Sequence, residues 1–263
     1  MTTSKLSNGI AQRFRLDGRT ALITGASKGL GAAMAEALAE HGARVVLVAR
    51  TESELQTVAG RIREQGGQAE VRVCDVTDSA AIRAVIDSLD VLDVLVNNAG
   101  SNIPEPIDVV TDEHLDHLLD LNTRAYFVVA QAAVKKMKQH SDRKDRGASI
   151  INIASQMGHI GSENRTVYCM TKHAVVGLTR AMAIELAATG IRVNSIGPTF
   201  IDTPLVRRVV DTPEKYNTLV SRIPMGRMGQ VEDIAAAAVY LASPAAGMVT
   251  GAGLLVDGGW TAQ

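Results

Sequence analysis

From residue 20 onward, short runs of β-branched and aliphatic residues alternate with longer stretches in which apolar positions recur every three to four residues. The runs at 20–24, 44–49, 69–74, 91–96, 148–153, 192–196 and 253–256 read as strands. The stretches 31–41, 53–64, 113–138, 167–188 and 231–241 read as amphipathic helices, each long enough to carry the chain back across a sheet in a right-handed crossover. This alternation predicts an α/β fold of three layers, with one seven-stranded parallel sheet and helices on both faces. No Pro/Gly/Ser-rich linker, internal repeat or low-complexity tract divides the chain, so a single domain over 1–263 is expected, with 1–16 as an N-terminal extension. Only 197–229 lacks a clear strand. Pro198, Pro204, Pro213 and Pro224 break it into short pieces, as expected of a substrate-binding lid, with a passive surface excursion as the alternative.

Composition agrees with that pattern. Apolar residues make up 46% of the chain and aromatic ones 3%, which suits an aliphatic core between sheet and helices. A net charge of -1 offers no global positive field, so neither nucleic acid nor an anionic membrane is an expected partner. The densest basic stretch, 135–146, reads as a helix C-terminus running into a wet loop. Cys74 and Cys169 share no metal-type spacing and read as free thiols, and no metal site is expected. The first 17 residues are polar and lack the apolar core of a signal peptide, and no apolar run reaches membrane-spanning length. A cytoplasmic protein acting on a small molecule is the expectation.

The first strand runs directly into Gly25, Ala26, Ser27, Lys28, Gly29, Leu30 and Gly31 before an Ala-rich helix. Backbone N–H groups at a helix N-terminus attract phosphate, and glycine lets the backbone approach it. Strand, glycine turn and helix at the head of a βαβ series are the setting of a dinucleotide site. At the end of the second strand, where an acidic side chain would hold a ribose 2′-hydroxyl, stand Ala49 and Arg50. Arg50 and Lys28 place two cations where a 2′-phosphate would lie, so NADP(H) is preferred and NAD(H) remains the alternative.

These motifs, with Asp75-Val76 after the third strand, Asn97-Asn98-Ala99-Gly100 after the fourth, and Tyr168-x3-Lys172, resemble the short-chain dehydrogenase/reductase family from Leu16 to Trp260. The resemblance implies a single Rossmann-like domain and a catalytic tetrad of Asn122, Ser155, Tyr168 and Lys172. In it Tyr168 is the acid/base, Ser155 holds the substrate oxygen, Lys172 binds the nicotinamide ribose, and Asn122 holds a water linking Lys172 to solvent. It also implies cofactor contacts from Gly25, Ser27, Lys28, Gly29, Leu30, Gly31, Arg50, Asp75, Val76, Asn98, Ala99, Gly100, Pro198, Ile201 and Thr203. Assembly as a homotetramer or homodimer through 113–138, 167–188 and the last strand follows by the same analogy.

The chemistry can also be built from residue types. Tyr168 and Lys172 stand four apart on a helix and share a face. An ammonium there is expected to favour the phenolate, and moving a phenol from about 10 to about 7 needs about 4 kcal/mol. Ser155 ends the fifth strand, where ligands of open α/β sheets bind. Substrate walls are expected from Gln156, His159, Asn164 and Thr199, with Arg207, Arg208 and Arg222 in the lid. Such polar walls suit a polar or acidic substrate. Within the family the chain resembles 3-oxoacyl-carrier-protein reductases and sugar-acid dehydrogenases. A 3-oxoacyl thioester or a keto-sugar acid is therefore expected. The alternatives are an NAD-dependent dehydrogenase of a small alcohol or sugar acid and a non-catalytic nucleotide-binding regulator.

Overall fold

The structure is a computed structural model that describes residues 9–203, 206–207 and 210–263. Residues 1–8 of the N-terminal extension, Pro204 and Arg208 lie outside the described residues. The aliphatic runs form β1 (Thr20–Thr24), β2 (Arg44–Ala49), β3 (Gln68–Val73), β4 (Val94–Asn97), β5 (Ala148–Ile153), β6 (Ile191–Pro198) and β7 (Gly253–Val256). All pair in parallel, in the order β3-β2-β1-β4-β5-β6-β7. The order reverses between β1 and β4, so their carboxyl ends diverge and open the crevice where such sheets bind ligands.

Successive strand residues face opposite layers, which explains why the central runs such as β1, β2 and β4 are almost wholly apolar. Ala21 and Ile23 of β1, Val45 and Leu47 of β2, and Val94 and Val96 of β4 enter one core. Leu22, Val46, Val48 and Leu95 enter the other. The first core is covered by α1 (Gly29–Glu40), α2 (Glu52–Glu64) and α9 (Val231–Ala242), the second by α3 (Ser79–Asp87), α5 (Ala125–Met137) and α7 (Thr166–Leu186).

Three features depart from the expected pattern. Helix α3 was not anticipated, although Asp78 caps it by accepting from the N–H groups of Ala80 and Ala81, and Ile82 and Ile86 bury its one apolar face. The stretch 113–138 is not one uniform helix: α4 (Asp112–Leu119) passes into a π-helical segment, Asp120–Arg124, before α5 begins. The basic stretch is not a wet loop. Arg143, in the short α6 (Arg143–Arg146), is buried and bonds Asp93 at 2.9 Å, while Arg146 bonds the same carboxylate at 2.8 Å. Arg19 stands 3.5 Å from it. Burial opposes the charge of Asp93, but hydrogen bonds from Arg146, the Thr20 N–H and Arg143 outweigh it and hold the carboxyl at about 2.

The described part of the N-terminal extension packs onto α9, with the Phe14 ring 6.3 Å from that of Tyr240 and Leu16 buried. The 197–229 segment carries α8 (Pro213–Val220) and is closed at its base by a bridge between Ile201 and Gly229.

Candidate active site

The glycine turn is shaped by close approach. A Cβ on Gly31 would stand 2.1 Å from the Gly25 carbonyl oxygen, and one on Gly25, whose φ is +65°, would stand 2.9 Å from Asn98 Nδ2. Only glycine fits either position. Asn98 secures the turn across the β1–β4 crevice: its N–H donates to Thr24 Oγ1 at 2.9 Å and its amide to the Thr24 carbonyl at 2.9 Å. The Ala99 N–H donates to the same hydroxyl at 3.1 Å. Gly29 meets nothing nearer than the Thr203 methyl, 3.8 Å from the position of a Cβ, so the start of the lid faces the turn. Leu30 is half-buried in the first turn of α1.

Lys28 and Arg50 are both exposed and loosely paired, Lys28 with Glu54 at 3.5 Å and Arg50 with Asp75 at 3.8 Å. Glu54 also accepts from the Ser27 hydroxyl, and that bond, ahead of Lys28, outweighs its slight desolvation and lowers its carboxyl. Asp75 is otherwise held by the N–H and hydroxyl of Thr77, at 3.0 and 2.8 Å, and Val76 beside it is buried. These residues fit a dinucleotide. The turn has no side chains at its glycines, two exposed cations stand where a 2′-phosphate would lie, and the Thr199 hydroxyl is buried without a partner near the end of β6. Pro198 closes β6, Ile201 is buried in the lid's base, and Thr203 Oγ1 accepts from the Val206 N–H at 3.3 Å.

The structure brings Ser155, Tyr168 and Lys172 together. Ser155 follows β5; its hydroxyl accepts from the Met157 N–H at 3.1 Å, donates to Gln156 Oε1 at 2.8 Å and lies close enough to the Tyr168 phenol to favour its ionised form. Lys172 Nζ lies 5.6 Å from the centre of the Tyr168 ring and 5.1 Å from that of Tyr126. It donates to the Ile153 carbonyl at 2.8 Å, and the Tyr126 hydroxyl donates to that oxygen at 2.9 Å. Tyr126 was not anticipated, since an aromatic residue in a helix is ordinarily core. A Cβ on Gly100 would stand 3.7 Å from Lys172 Nζ and 3.1 Å from Asn122 Oδ1. Asn122, fully buried at the π-helical segment, accepts from the Ser101 N–H at 2.9 Å and donates to the Ser101 carbonyl at 2.8 Å and Thr171 Oγ1 at 3.3 Å. Single π turns recur at functional sites because the extra residue redirects the side chains around it.

The protein's own side chains do not supply the expected tuning of the phenol. Burial raises Tyr168, and although Ser155 and Arg165 pull the other way the phenol stays pushed up to about 12. Burial alone brings Lys172 down to about 7. Lys172 sits over the ring rather than at the phenolic oxygen, so its charge is too far off-axis to offset desolvation.

The expected substrate wall also changes. Gln156 is buried and committed to Ser155. His159 lies against Gly253 of β7, its charged neighbours being Arg180, His173 and Asp257 rather than Tyr168. Asn164 has left-handed backbone, φ +56°, and its carbonyl accepts from the Glu105 N–H at 3.1 Å, tying the segment after β4 to the turn before α7. Two of the lid cations are engaged: Arg207 grips Asp202 at 2.6 and 2.9 Å, and Arg222 stacks 4.8 Å from the Trp260 ring. The cation facing Tyr168 is instead Arg165, which the motif reading passed over because it precedes the Tyr168-x3-Lys172 spacing.

Comparison with known proteins agrees with this geometry. The family described as enoyl-(acyl carrier protein) reductase matches residues 25–261. The chain is 37% identical to the D-threitol dehydrogenase of Mycolicibacterium smegmatis over 252 residues, covering 94% of this chain and 95% of that relative. It is 34% identical to the 3-oxoacyl-[acyl-carrier-protein] reductase of Vibrio harveyi, covering 94% and 98%. The crystal structure of a gluconate 5-dehydrogenase from Burkholderia cenocepacia, in complex with NADP and tartrate, superposes with a TM-score of 0.90 at 39% identity, covering 96% and 98%. With its parallel sheet, glycine turn and Ser155–Tyr168–Lys172 cluster, the chain belongs to the short-chain dehydrogenase/reductase family of oxidoreductases.

Proposed function

We propose that the chain interconverts a secondary hydroxyl and a ketone on a polar substrate, a sugar alcohol or sugar acid, with NADP(H) preferred over NAD(H). The observation that carries this reading is the Ser155–Tyr168–Lys172 cluster at the carboxyl end of β5, next to a glycine turn with two exposed cations. When bound, the nicotinamide supplies or accepts the hydride. Tyr168 donates the proton to the substrate oxygen in reduction and removes it in oxidation. Ser155 holds that oxygen where negative charge gathers. The positive charge of an oxidised nicotinamide would bring the phenol down from its cofactor-free position, a role Lys172 does not fill unaided. Lys172, Gly100 and Asn122 lie together, and in this reading Lys172 takes the ribose hydroxyls while Asn122 relays the proton outward through water.

Gly25, Ser27, Gly29, Leu30 and Gly31 would cradle the pyrophosphate, Lys28 and Arg50 the 2′-phosphate, and Asp75 and Val76 the adenine. Asn98, Ala99 and Gly100 would line the ribose, and Pro198, Thr199, Ile201 and Thr203 the nicotinamide side. Residues 197–229 act as the lid, and 1–263 form one domain. The sugar-acid reading takes support from the NADP- and tartrate-bound structural neighbour. The thioester reading takes support from the Vibrio harveyi relative, but the lid cations it would use are engaged with Asp202 and Trp260.

Exposed Phe127, Met170 and Ile184 on α5 and α7 support assembly into a homotetramer or homodimer. Two free cysteines suit a reducing, cytoplasmic setting, and no described helix is long and apolar enough to cross a membrane. Turnover of D-gluconate, alditols and 3-oxoacyl thioesters with each nucleotide tests the proposal. NADP-linked oxidation of a sugar acid or alditol, lost in Tyr168→Phe with nucleotide affinity retained, is expected. Undiminished turnover in Tyr168→Phe would refute the assigned acid/base. Equal use of both nucleotides would refute the roles of Lys28 and Arg50.

A further inference from the structure

We infer that Arg165 is the anchor for a carboxylate of the substrate, so that the site selects a hydroxy acid over a neutral polyol of the same length. This rests on the dehydrogenase reading above and names the substrate class within it. Arg165 is the N-cap residue of α7, three positions before Tyr168, and residues so spaced stand on one side of a helix about 5–6 Å apart. Its place is fixed from both sides. Its Nη1 donates to the Asn164 carbonyl at 3.0 Å, and that same carbonyl takes the Glu105 N–H at 3.1 Å.

The guanidinium carries a charge that nothing in the described structure neutralises. Its Nε is buried without a partner, and no described carboxylate comes within ion-pairing distance. Burial lowers its affinity for the proton, and the groups that act the other way are Tyr168 and Cys169 on the first turn of α7. Glu105, whose N–H bonds the same Asn164 carbonyl, turns its carboxylate to His114 at 3.0 Å. The described lid cations are engaged elsewhere: Arg207 with Asp202 and Arg222 with Trp260.

A half-buried guanidinium without an anion, its Nε shut off from solvent, is costly, and its planar fork fits a carboxylate through two parallel hydrogen bonds. With the reacting oxygen held by Ser155 and Tyr168, the offset of one helical turn suits a carboxylate a few bonds along the chain from the reacting carbon. A neutral polyol would leave the Arg165 charge unpaired.

The test compares D-gluconate with D-sorbitol, which has the same number of carbons and no charge, in the wild type, Arg165→Gln and Arg165→Lys. The ratio of kcat/KM for gluconate to that for sorbitol is expected to fall about 10-fold or more in Arg165→Gln, chiefly through the gluconate KM. Arg165→Lys should lie between, keeping the charge and losing the fork. Any general effect on the Tyr168 phenol cancels in the ratio, and an unchanged NADPH affinity certifies the fold. An unchanged ratio overturns the assignment. Calorimetric binding of D-gluconate to the NADPH-loaded enzyme, a pair that cannot react, separates the anchor from the dehydrogenase reading. If neither compound is turned over, that reading fails, and the anchor stands only if gluconate binds the wild type and not Arg165→Gln. No binding, or equal binding, overturns it.

Discussion

Replacing Lys172 with Met should make the cofactor-free protein more stable while removing its activity. The ammonium is buried among Tyr126, Tyr168 and Ile153, with a carbonyl at 2.8 Å and no carboxylate. Burial brings it from 10.5 to about 7. At about 1.36 kcal/mol per unit, that displacement corresponds to a ceiling of about 5 kcal/mol against folding at low pH. Methionine matches the length of the side chain without the charge. It gives up the bond to the Ile153 carbonyl, about 1–2 kcal/mol, but the Tyr126 hydroxyl still satisfies that oxygen at 2.9 Å. A net gain of at most about 3–4 kcal/mol remains, equivalent to about 6–16 °C in Tm for a chain of this size.

The sign of the pH dependence follows from linkage. The folded value lies below the unfolded one, so the folded chain binds fewer protons between about 7 and 10.5. The penalty is complete below 7 and fades as pH rises towards 10.5. Thermal unfolding of the cofactor-free protein, followed by circular dichroism at pH 6, 7.5 and 9.5, should show the advantage of Lys172→Met largest at pH 6. A variant less stable than the wild type at pH 6, or an advantage that grows with pH, refutes the reasoning.

Gly31→Ala would set a Cβ 2.1 Å from the Gly25 oxygen and 2.7 Å from Asn98 Nδ2, so α1 must shift off the turn. NADPH affinity, measured by fluorescence titration, should fall at least about 10-fold, with about 1–3 kcal/mol lost in stability from overpacking. Asp93→Asn leaves Arg143 buried without its counter-charge and should cost about 3–5 kcal/mol in urea unfolding. Because Asp93 is held at about 2, below its ordinary 3.8, its contribution is present above about pH 4 and lost as pH falls towards 2. The variant should therefore lose less stability than the wild type over that window, and an identical acid limb would count against the ion cluster.

Periodicity made the sheet legible because its central strands, such as β1 and β5, are buried on both faces and so read as apolar runs. Boundaries slipped where a polar residue joined the sheet's edge. The fourth strand begins at Val94 because Asp93, two residues beyond Val91, belongs to the arginine cluster. The glycine turn and the Ser155–Tyr168–Lys172 group stand in local motifs, so they were visible before the fold was. Asp93 with Arg19, Arg143 and Arg146 was not, because its members are up to 127 residues apart and each alone reads as surface charge. The π-helical turn at Asn122 was hidden for a different reason. It inserts one residue per turn without altering composition, so a helical pattern passes straight through it.

The two ends of the sheet are held by opposite economies of hydrogen bonding. At the amino end, the Asp93 carboxylate takes two arginines and the Thr20 N–H, and the Arg143 fork is spread over Asp93 and the carbonyls of Met137, Leu92 and Gly147. At the carboxyl end the Thr199 hydroxyl, the Asn102 amide oxygen and Arg165 Nε are buried without partners among the described residues. An unpaired buried polar group costs about 1–3 kcal/mol, and these three lie at the end of the sheet where its ligand binds. The amino end can bear that asymmetry because its cluster anchors β1 and β4 below the crevice, leaving the residues above free to be completed by ligand. Ligand binding should therefore raise stability by more than contact area alone accounts for, since it fills hydrogen bonds that folding leaves open.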